Sequence, residues 1–380
     1  MRTYSLSARK NARTLAPDDE GGSSRGVFLP RLISWNTTIR CNLRCPHCYL
    51  DAGGSDTAGE LSTDEAKQLI DRIAAVSSPL FIFSGGEPLL RGDIFELIQY
   101  AAGKGLRTAL GTNGTLITAP VAERLASSGV KAAAVSIDSS LPGPHDRFRG
   151  VKGSWKRAVQ GIGACIRSGI AVQVNTTVTP QNYDDIPAIM SLAEGLGARS
   201  FHLFFLVPTG RGAGIRDIAA DQYEHLIGRV LDMIAAAPPV MHIRPVCAPQ
   251  FLRIASRKGI DLAPWGRGCV AGLTYCRIGP TGELTPCPYL PLTAGNIRQT
   301  DFADLWFHAP LFRALRDRRS LTGRCGRCEY REICGGCRAR AHGLTGAPHG
   351  CSGLHRPGDG SGDYLAEDPW CLYQPGGEGS

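Results

Sequence analysis

The residues with the clearest chemical potential are three cysteines, Cys41, Cys45 and Cys48, in the segment CNLRCPHCY. Thiolates bind soft metal centres such as zinc and iron–sulfur clusters. A structural zinc ion needs four protein ligands, and this segment supplies three. Three thiolates on a [4Fe–4S] cluster leave one iron without a protein ligand, and that iron can bind the amino and carboxylate groups of a substrate. The alternative is a zinc ion whose fourth ligand lies elsewhere in the chain.

The chain has 14 cysteines in 380 residues. Secreted proteins that depend on disulfides are small, and the N-terminal segment lacks the apolar stretch of a secretory signal. We therefore interpret the clustered thiols as metal ligands of a cytoplasmic protein. No run of 18 apolar residues occurs, so the sequence predicts no membrane span.

The formal net charge of the chain is +8. Its densest basic run, RALRDRRSLTGR at residues 313–324, has no interleaved aromatic residues on which nucleic-acid bases would stack. We interpret this run as a solvent-exposed helix face and expect no nucleic-acid partner.

Six apolar, β-rich segments alternate with amphipathic segments, which is typical of β/α units around a parallel sheet. Strands are predicted at residues 31–38, 80–86, 107–113, 132–138, 171–178 and 201–208. Helices are predicted at residues 63–76, 93–102, 154–169, 184–197 and 222–237. Six units predict an α/β fold with a partial (β/α)6 TIM-type barrel, two units short of the eight that close a barrel.

The composition changes after about residue 245, where helical periodicity fades and Gly, Pro and Cys become frequent. This change predicts a second, small, cysteine-rich domain whose thin core needs metal sites for stability. The predicted organisation is a disordered N-terminal tail at residues 1–29, the partial barrel at 30–240, a linker at 241–265 and the cysteine-rich domain at 266–375. Within that domain, residues 343–362 are interpreted as a flexible insertion.

Polar and glycine-rich segments follow each predicted strand. The cysteine segment follows the first strand, SGGEP the second and GTNGT the third, and SIDSS, NTTVTP and VPTGRG follow the fourth, fifth and sixth. Catalytic residues of β/α barrels gather at the C-terminal ends of the strands. We therefore expect these segments to meet at one rim of the barrel.

A C-x3-C-x2-C segment at the rim of a partial barrel resembles the signature of the radical S-adenosylmethionine (SAM) superfamily. The resemblance implies that Cys41, Cys45 and Cys48 hold a catalytic [4Fe–4S] cluster and that SAM binds its open iron. In that family the reduced cluster cleaves SAM to methionine and a 5′-deoxyadenosyl radical, which abstracts a hydrogen atom from the substrate. Because the open iron is reserved for SAM, we interpret His47 as a loop residue.

The segment after the second strand resembles the motif that receives the ammonium group of SAM in this family. It consists of Gly85, Gly86, Glu87 and Pro88. Glycines leave the backbone open to close approach by a ligand, and the Glu87 carboxylate offers an acceptor for an ammonium group. The structural alternative is a tight turn with a solvated Glu87.

Further candidate cofactor-binding residues are Tyr49, Asn113, Ser136, Asp138, Arg149 and Asn175. The resemblance implies that Tyr49 flanks adenine and that Ser136 and Asp138 contact the ribose. The two asparagines face the same rim and are candidates for the ribose or the methionine carboxylate, and the planar fork of Arg149 suits a carboxylate. The alternatives are packing for the tyrosine, turn formation for the aspartate and the asparagines, and a surface ion pair for the arginine.

The second cysteine set resembles the SPASM extension of radical SAM enzymes, whose opening C-x12-G-x4-C pattern is matched from Cys269 to Cys287. The resemblance implies one or two auxiliary [4Fe–4S] clusters. Its predicted ligand sets are Cys269, Cys276, Cys287 and Cys337 for one cluster, and Cys325, Cys328, Cys334 and Cys371 for the other.

The partition of these ligands stays open, because the last near pair is separated by two residues where three are usual in this extension. A C-x2-C-x5-C-x2-C pattern is also compatible with a four-thiolate zinc site. Cys165 is predicted to be a core residue, and Cys247 and Cys351 are assigned no role.

Longer segments of the sequence indicate which class of substrate the protein acts on. Segments such as FSGGEPLLRGDIFEL and CRIGPTGELTPCPYLP resemble the tetrapyrrole-modifying radical SAM/SPASM group of the NirJ and AhbD type, which acts in haem and haem d1 biosynthesis. This resemblance implies an iron porphyrinoid substrate and a low-potential reductant such as ferredoxin or flavodoxin. Its AhbD-like branch implies oxidative decarboxylation of the propionates of iron-coproporphyrin III to give haem b.

Such a substrate is a flat apolar ring with acidic arms, which calls for an apolar wall and guanidinium groups. The segment FHLFFLVPTGRGAGIR offers Phe204, Phe205 and Leu206 beside Arg211 and Arg216. Strand alternation allows only half of the apolar residues to face the rim. Arg211, on the loop after the sixth strand, is the candidate catalytic residue as a propionate clamp.

Three alternatives remain at this level. A NirJ-like enzyme would remove side chains on the haem d1 route with the same motifs. A radical SAM/SPASM peptide maturase often carries a recognition domain before its barrel, and roughly 30 residues are too few for one. An iron–sulfur electron carrier would ligate every cluster through four cysteines and would not need the GGEP segment.

Overall fold

The computed structural model describes residues 27–54, 57–236, 241–345 and 362–376. Its strands are β1 (Leu32–Asn36), β2 (Leu80–Ser84), β3 (Arg107–Thr112), β4 (Val130–Ser136), β5 (Ala171–Val178), β6 (Ser200–Phe205), β7 (His242–Val246), β8 (Tyr275–Ile278), β9 (Glu283–Thr285) and β10 (Gly295–Asn296). Most of the predicted tail and insertion, with Cys351, lies outside the described residues.

The helices within the same ranges are α1 (Thr63–Val76), α2 (Ile94–Gly103), α3 (Ala119–Ser127), α4 (Pro142–Arg149), α5 (Ser154–Arg167), α6 (Ile186–Gly195), α7 (Ala220–Ala236), α8 (Phe251–Arg257), α9 (Phe302–His308), α10 (Pro310–Arg316), α11 (Gly323–Arg327) and α12 (Arg338–Gly343). The first begins at the expected capping box, because the Ser62 hydroxyl accepts from Glu65 N at 3.2 Å and the Glu65 carboxylate accepts from Ser62 N at 2.8 Å. None of these helices has the length and apolar character needed to cross a membrane.

One sheet contains all the described strands, in the order β10-β9-β8-β1-β2-β3-β4-β5-β6-β7. Strands β1 to β7 pair in parallel with their sequence neighbours. The two ends of this order do not pair, so the sheet is not closed. The prediction of a partial β/α barrel is confirmed.

The segment predicted to be a linker, residues 241–265, instead contributes β7 and α8 to the barrel. The strand sequence HIRPV contains Arg244 and a proline, and proline weakens the sequence signal of a strand. The cysteine-rich region also joins the barrel, because β8 pairs in parallel with β1. The two predicted domains therefore share one sheet, and their boundaries remain predictions.

The pairing register separates the two faces of this sheet. One face carries fully buried apolar residues such as Ile33, Phe81 and Phe201, which belong to the core formed with the helices. The opposite, inner face carries smaller or polar residues. Side by side on it are Gly111 and Ala134, Ser136 and Asn175, and His202 and Arg244. The inner face is therefore the wall of the barrel lumen, below the rim.

Candidate active site

The three thiols of Cys41, Cys45 and Cys48 lie on the loop after β1, as predicted. Burial raises the pKa of the Cys41 thiol to about 11. Two of the sulfurs accept hydrogen bonds from backbone groups of the same loop, Cys41 Sγ from Leu43 N and Cys48 Sγ from Ala52 N, each at 3.4 Å. Such N–H groups stabilise a thiolate and tune the potential of a bound iron–sulfur cluster. The loop therefore supplies hydrogen-bond donors to these two sulfurs.

The remaining thiol, that of Cys45, has a guanidinium as its neighbour. Arg149 Nη1 lies 3.6 Å from Cys45 Sγ, and Arg149 Nε donates to Asp138 Oδ2 at 2.5 Å. Burial would raise the pKa of Asp138, but the charge of Arg149 lowers it below its usual range. The arginine and the aspartate form a buried ion pair that packs against the cysteine loop, the loop after β1 that carries Cys41, Cys45 and Cys48.

All three nitrogens of the Arg149 guanidinium are engaged in these contacts. This corrects the alternative of a surface ion pair, because the pair is buried. The contact of Arg149 with a carboxylate of the cofactor stays a prediction. The sequence could not reveal this arrangement, because it depends on packing of the end of α4 against the cysteine loop, where Arg44 N donates to Arg149 O at 3.2 Å. The ribose contact of Asp138 stays a prediction.

The glycines of the GGEP segment allow its backbone to pack directly against the backbone of residues 38–40. Gly86 N donates to Thr38 O, and Glu87 N donates to Arg40 O, both at 2.8 Å. A Cβ atom on Gly86 would lie 2.2 Å from Arg40 O, which excludes any other residue without a shift of the loop. The segment therefore holds the chain that leads into Cys41.

Glu87 is fully buried, with no exposed surface. Its carboxylate accepts hydrogen bonds from Thr112 Oγ1 and from Asn113 N at 2.9 Å, and from Leu89 N at 3.3 Å. Burial raises the pKa of Glu87 to about 7, although these hydrogen bonds lower it. The side chain ties the ends of β2 and β3 together, which corrects the alternative of a solvated glutamate. Its contact with the SAM ammonium stays a prediction.

Asn113 connects the end of β3 to the cysteine loop. Its Nδ2 donates to Asn42 Oδ1 at 2.9 Å and lies 4.0 Å from Cys41 Sγ. Its Oδ1 accepts from Thr115 N at 2.9 Å, as in the turn-capping alternative. The residue lies beside the predicted cluster and also caps a turn.

Ser136 and Asn175 are paired in register at the tops of β4 and β5. Both side chains are half-buried on the inner face, and Asn175 Oδ1 accepts from Gln173 Nε2 at 2.7 Å. They are placed where a ligand below the cluster loop would pass, and their contacts with SAM stay predictions.

Tyr49 is held by residues that sequence reasoning missed. Its hydroxyl lies 3.0 Å from the Asn36 amide, and its ring meets the edge of Tyr289 at 5.3 Å between centroids. In the amide orientation that satisfies every partner, Asn36 Oδ1 accepts from Arg277 Nε at 2.8 Å. The tyrosine thus links the cluster loop to the cysteine-rich region.

Arg211, predicted to clamp a propionate, braces the cysteine loop. Its Nε donates to Cys45 O at 3.0 Å, and its Nη1 donates to Ala52 O and to Asp51 Oδ1, each at 2.7 Å. His47 on the same loop stacks on Phe148 at 4.3 Å, as expected of a loop residue. These contacts assign Arg211 to loop support, and a direct substrate contact stays a prediction for its remaining nitrogen.

One predicted auxiliary thiol set is brought together by the fold. The four side chains line a single cavity and are those of Cys325, Cys328, Cys334 and Cys371. Arg338 Nη2 lies 3.6 Å from Cys325 Sγ, and Asp368 N donates to the same sulfur at 3.4 Å. Nearby guanidinium groups of Arg253 and Arg324 suit a site that carries negative charge.

The other predicted set needs one correction. Cys276 lies on β8 in register with Ile33, and its side chain is fully buried in the core between sheet and helices. The adjacent Tyr275 points to the inner face, where its hydroxyl lies 2.7 Å from Ser34 Oγ. Because side chains alternate along a strand, Cys276 points away from Cys287 and the rest of its predicted set.

Cys247 lies near the other three thiols of the set to which the sequence had assigned Cys276. Burial raises the pKa of its thiol well above the usual range, and the neighbouring thiols of Cys337, Cys287 and Cys269 raise it further. Cys247 and Cys287 pack on the same small apolar cluster that includes Cys337. Cys247 directly follows β7 and therefore lies at the rim. Because β7 was not predicted, the sequence did not place Cys247 there.

The backbone of Cys247 supports a functional role. It has φ of +60°, in the left-handed region that non-glycine residues rarely adopt. Arg340 Nη2 donates to Cys247 O at 2.9 Å and holds this conformation.

The donor chemistry of the thiol sets suits iron–sulfur clusters, which are held by cysteine thiolates. Among the described residues, no group of three Cys, His, Asp or Glu side chains is found that could hold a single metal ion.

Comparisons with known proteins agree with this geometry. Residues 35–193 match the model of the radical SAM superfamily, and residues 269–337 match that of the SPASM iron–sulfur cluster-binding domain. AdoMet-dependent heme synthase of Methanosarcina barkeri is 41% identical over 358 residues, which cover 91% of this chain and 97% of that protein. Pre-heme d1 synthase of Dinoroseobacter shibae is 36% identical over 350 residues, which cover 86% and 85% of the two chains.

Solved structures show the same fold. The crystal structure of Streptococcus suis SuiB bound to S-adenosylmethionine superposes with a TM-score of 0.68 at 19% identity, over 82% of this chain and 74% of SuiB. At this identity the likeness concerns the fold alone.

The chain therefore belongs to the radical SAM superfamily, in the group whose barrel is followed by a SPASM domain. It is an enzyme of the class that uses SAM and [4Fe–4S] clusters. Within this class it is similar, over almost its whole length, to AdoMet-dependent heme synthases.

Proposed function

We propose that this enzyme oxidatively decarboxylates propionate side chains of iron-coproporphyrin III to vinyl groups and so produces haem b. The observation that carries the proposal is the similarity to AdoMet-dependent heme synthases across both domains, joined to a three-thiol loop at the barrel rim. Each conversion removes CO2, one hydrogen atom and one electron from a propionate.

The residues at the rim are proposed to bind the catalytic cluster and to hold its loop in position. We assign Cys41, Cys45 and Cys48 to the [4Fe–4S] cluster that binds SAM. When bound, the cluster and SAM supply the one-electron chemistry that removes a hydrogen atom from the substrate. Backbone N–H groups donate to Cys41 Sγ and Cys48 Sγ, Arg149 places a positive charge beside Cys45 Sγ, and Arg211 holds the loop in place.

The inner face of the sheet is the proposed place of the substrate. Gly111 and Ala134 lie side by side there, so this part of the wall carries no large side chain. Phe204 is half-buried on the same face and offers an apolar contact, whereas Phe205 belongs to the core with Tyr223. This arrangement agrees with the expectation that only half of the apolar residues of β6 face the lumen.

The SPASM domain is proposed to accept the electron released by decarboxylation. We assign one auxiliary cluster to Cys247, Cys269, Cys287 and Cys337, and another to Cys325, Cys328, Cys334 and Cys371. The contact between Tyr49 and Tyr289 connects the rim to the first of these sets. A low-potential reductant such as ferredoxin or flavodoxin is proposed to supply the electron for SAM cleavage.

The test is anaerobic incubation of the reconstituted enzyme with iron-coproporphyrin III, SAM and dithionite, read by product mass. We expect loss of two formic-acid equivalents together with formation of 5′-deoxyadenosine. The matched control is Cys45→Ala, which removes one ligand of the catalytic cluster and should form neither product. An unchanged substrate with the wild-type enzyme would contradict the proposal.

The similarity to a pre-heme d1 synthase favours one second candidate, removal of side chains on the haem d1 route. This reaction uses a different tetrapyrrole substrate, so turnover of such a substrate in place of iron-coproporphyrin III would identify it. Thioether formation in a co-encoded peptide would instead indicate a peptide maturase.

A further inference from the structure

A histidine on the lumen wall is not used by any role described above. His202 lies on β6, in register with Asn175 on one side and Arg244 on the other. Its chain neighbours Phe201 and Leu203 are buried in the core between sheet and helices. Because side chains alternate along a strand, the imidazole of His202 projects into the barrel lumen.

The imidazole has both aromatic and polar neighbours on the lumen wall. Its ring centroid lies 6.3 Å from that of Phe204 and 6.3 Å from that of His242. Among the described residues, no hydrogen-bond partner is found for either ring nitrogen, yet the side chain keeps an accessible edge. An imidazole on the lumen wall that remains accessible and has no described protein partner is open to a ligand.

The imidazole is held in its neutral form. Burial, together with the charges of the nearby Arg244 and His242, lowers the pKa of His202 to about 3. Neutral imidazole is the form that binds metal ions, and histidine is the common axial ligand of haem iron. At neutral pH the side chain is therefore ready to act as a metal ligand.

We propose that His202 is an axial ligand of the iron in the metalloporphyrin substrate. The inference rests on the proposed function, because it requires an iron porphyrinoid in the lumen. A nitrogen–iron bond forms at an open axial position of the ring, and any water there is released. Phe204, two positions along the same face, is suited to contact the porphyrin plane.

His202 thereby acts as a positioning residue. A single bond to the ring centre fixes the depth of the porphyrin in the barrel while leaving the ring edge free to present one propionate at a time below the rim. The bond also discriminates against the metal-free porphyrin, which offers no iron to the imidazole.

The test is the optical and electron paramagnetic resonance spectrum of ferric coproporphyrin III bound to the holoenzyme under anaerobic conditions. We expect a nitrogen-ligated ferric spectrum with wild type that is lost in His202→Ala and restored by added imidazole. His242→Ala is the matched control, since His242 is exposed at the start of β7, and it should keep the wild-type spectrum.

A binding measurement separates ligation from packing. His202→Ala should weaken ferric coproporphyrin III binding by about tenfold or more and leave metal-free coproporphyrin III binding within about twofold. Iron content and thermal unfolding report whether the variant folds, and His202→Gln, which keeps most of the side-chain volume, replaces it if it does not.

The outcomes are distinct. A wild-type ferric spectrum in a folded His202 variant overturns the axial ligand and leaves the proposed function intact. Equal weakening of metal-bound and metal-free porphyrin assigns His202 to packing and also overturns the ligand. If wild-type enzyme binds no iron porphyrin, the proposed function fails and the ligand fails with it.

Discussion

Arg149 Nη1 lies 3.6 Å from Cys45 Sγ, and the same guanidinium is paired with the buried Asp138 carboxylate. A positive charge beside this sulfur favours the thiolate that an iron–sulfur cluster requires. The ion pair connects the end of α4 and the top of β4 to the cysteine loop, so the cluster ligand and its counter-charge are positioned together.

We expect Arg149→Met to destabilise the protein by about 3–5 kcal/mol, because it leaves the buried Asp138 carboxylate without its counter-charge. The variant should also retain less iron at the rim cluster. Denaturant unfolding and iron content after anaerobic reconstitution measure the two effects. The double variant Asp138→Asn/Arg149→Met removes both charges and should recover part of the lost stability; a double variant no more stable than the single one would show that the unpaired charge is not the cause.

Cys247→Ala should lower the iron content by about four atoms per chain, because it removes one ligand of a proposed [4Fe–4S] cluster. Cys276→Ala is the matched control, since this thiol is buried in the core away from the other sulfurs. Iron and sulfide analysis with electron paramagnetic resonance checks both variants. Equal iron in wild type and Cys247→Ala, with loss in Cys276→Ala, would restore the ligand set expected from the sequence.

Arg340 joins the barrel to the cysteine-rich region through a fully buried guanidinium. Its Nη2 donates to Leu206 O at 3.1 Å and to Cys247 O at 2.9 Å, and its Nη1 lies 3.4 Å from Asp368 Oδ2. Arg340→Met should cost about 3–5 kcal/mol in the free energy of unfolding, because the buried Asp368 loses its counter-charge and two carbonyl groups each lose one hydrogen bond. Denaturant unfolding measures this cost.

Arg340→Lys keeps the positive charge but not the planar fork, so it should recover only part of the stability. Full recovery by lysine would mean that charge alone is needed. No loss in the methionine variant would contradict the assigned role of this side chain.

Asp217 should make stability depend on pH. Burial raises its pKa from 3.8 to about 7, although Arg340 and the hydrogen bond from Tyr223 lower it. Between these values the folded protein binds a proton that the unfolded chain has lost, so this contribution to stability is present below about pH 4 and is lost as pH rises to about 7.

Asp217→Asn lacks this titration. Its unfolding temperature relative to wild type should therefore rise between pH 5 and pH 7.5, as measured by thermal unfolding of the holoenzymes. A constant difference between the two proteins across this range would show that Asp217 is ionised throughout.

Local sequence patterns predicted much of this molecule. The alternation of apolar and amphipathic segments indicated the barrel, and the capping box marked the start of α1 at the residue observed. These signals are readable because helix and strand periods and caps depend on neighbours within a few residues. The strand β7 was missed because its short sequence carries Arg244 and a proline.

Side-chain partners were less accessible to sequence reasoning. Cys276 fits a spacing pattern, but strand alternation turns it into the core, and Cys247 approaches the thiol set from a distant segment. Glu87, Arg149 and Arg211 were expected to face ligands, and their described hydrogen bonds are made with the protein itself. Each of these contacts joins residues far apart in the chain.

The sequence by itself indicated the reaction class, because the C-x3-C-x2-C and GGEP segments resemble those of the radical SAM superfamily and each is contained within a few neighbouring residues. Only the tertiary structure showed that Cys247 lies beside an auxiliary thiol set while Cys276 is in the core, which charge stands beside Cys45, and which histidine faces the lumen. Those choices depend on strand register and on packing between segments, and neither is encoded in residue spacing.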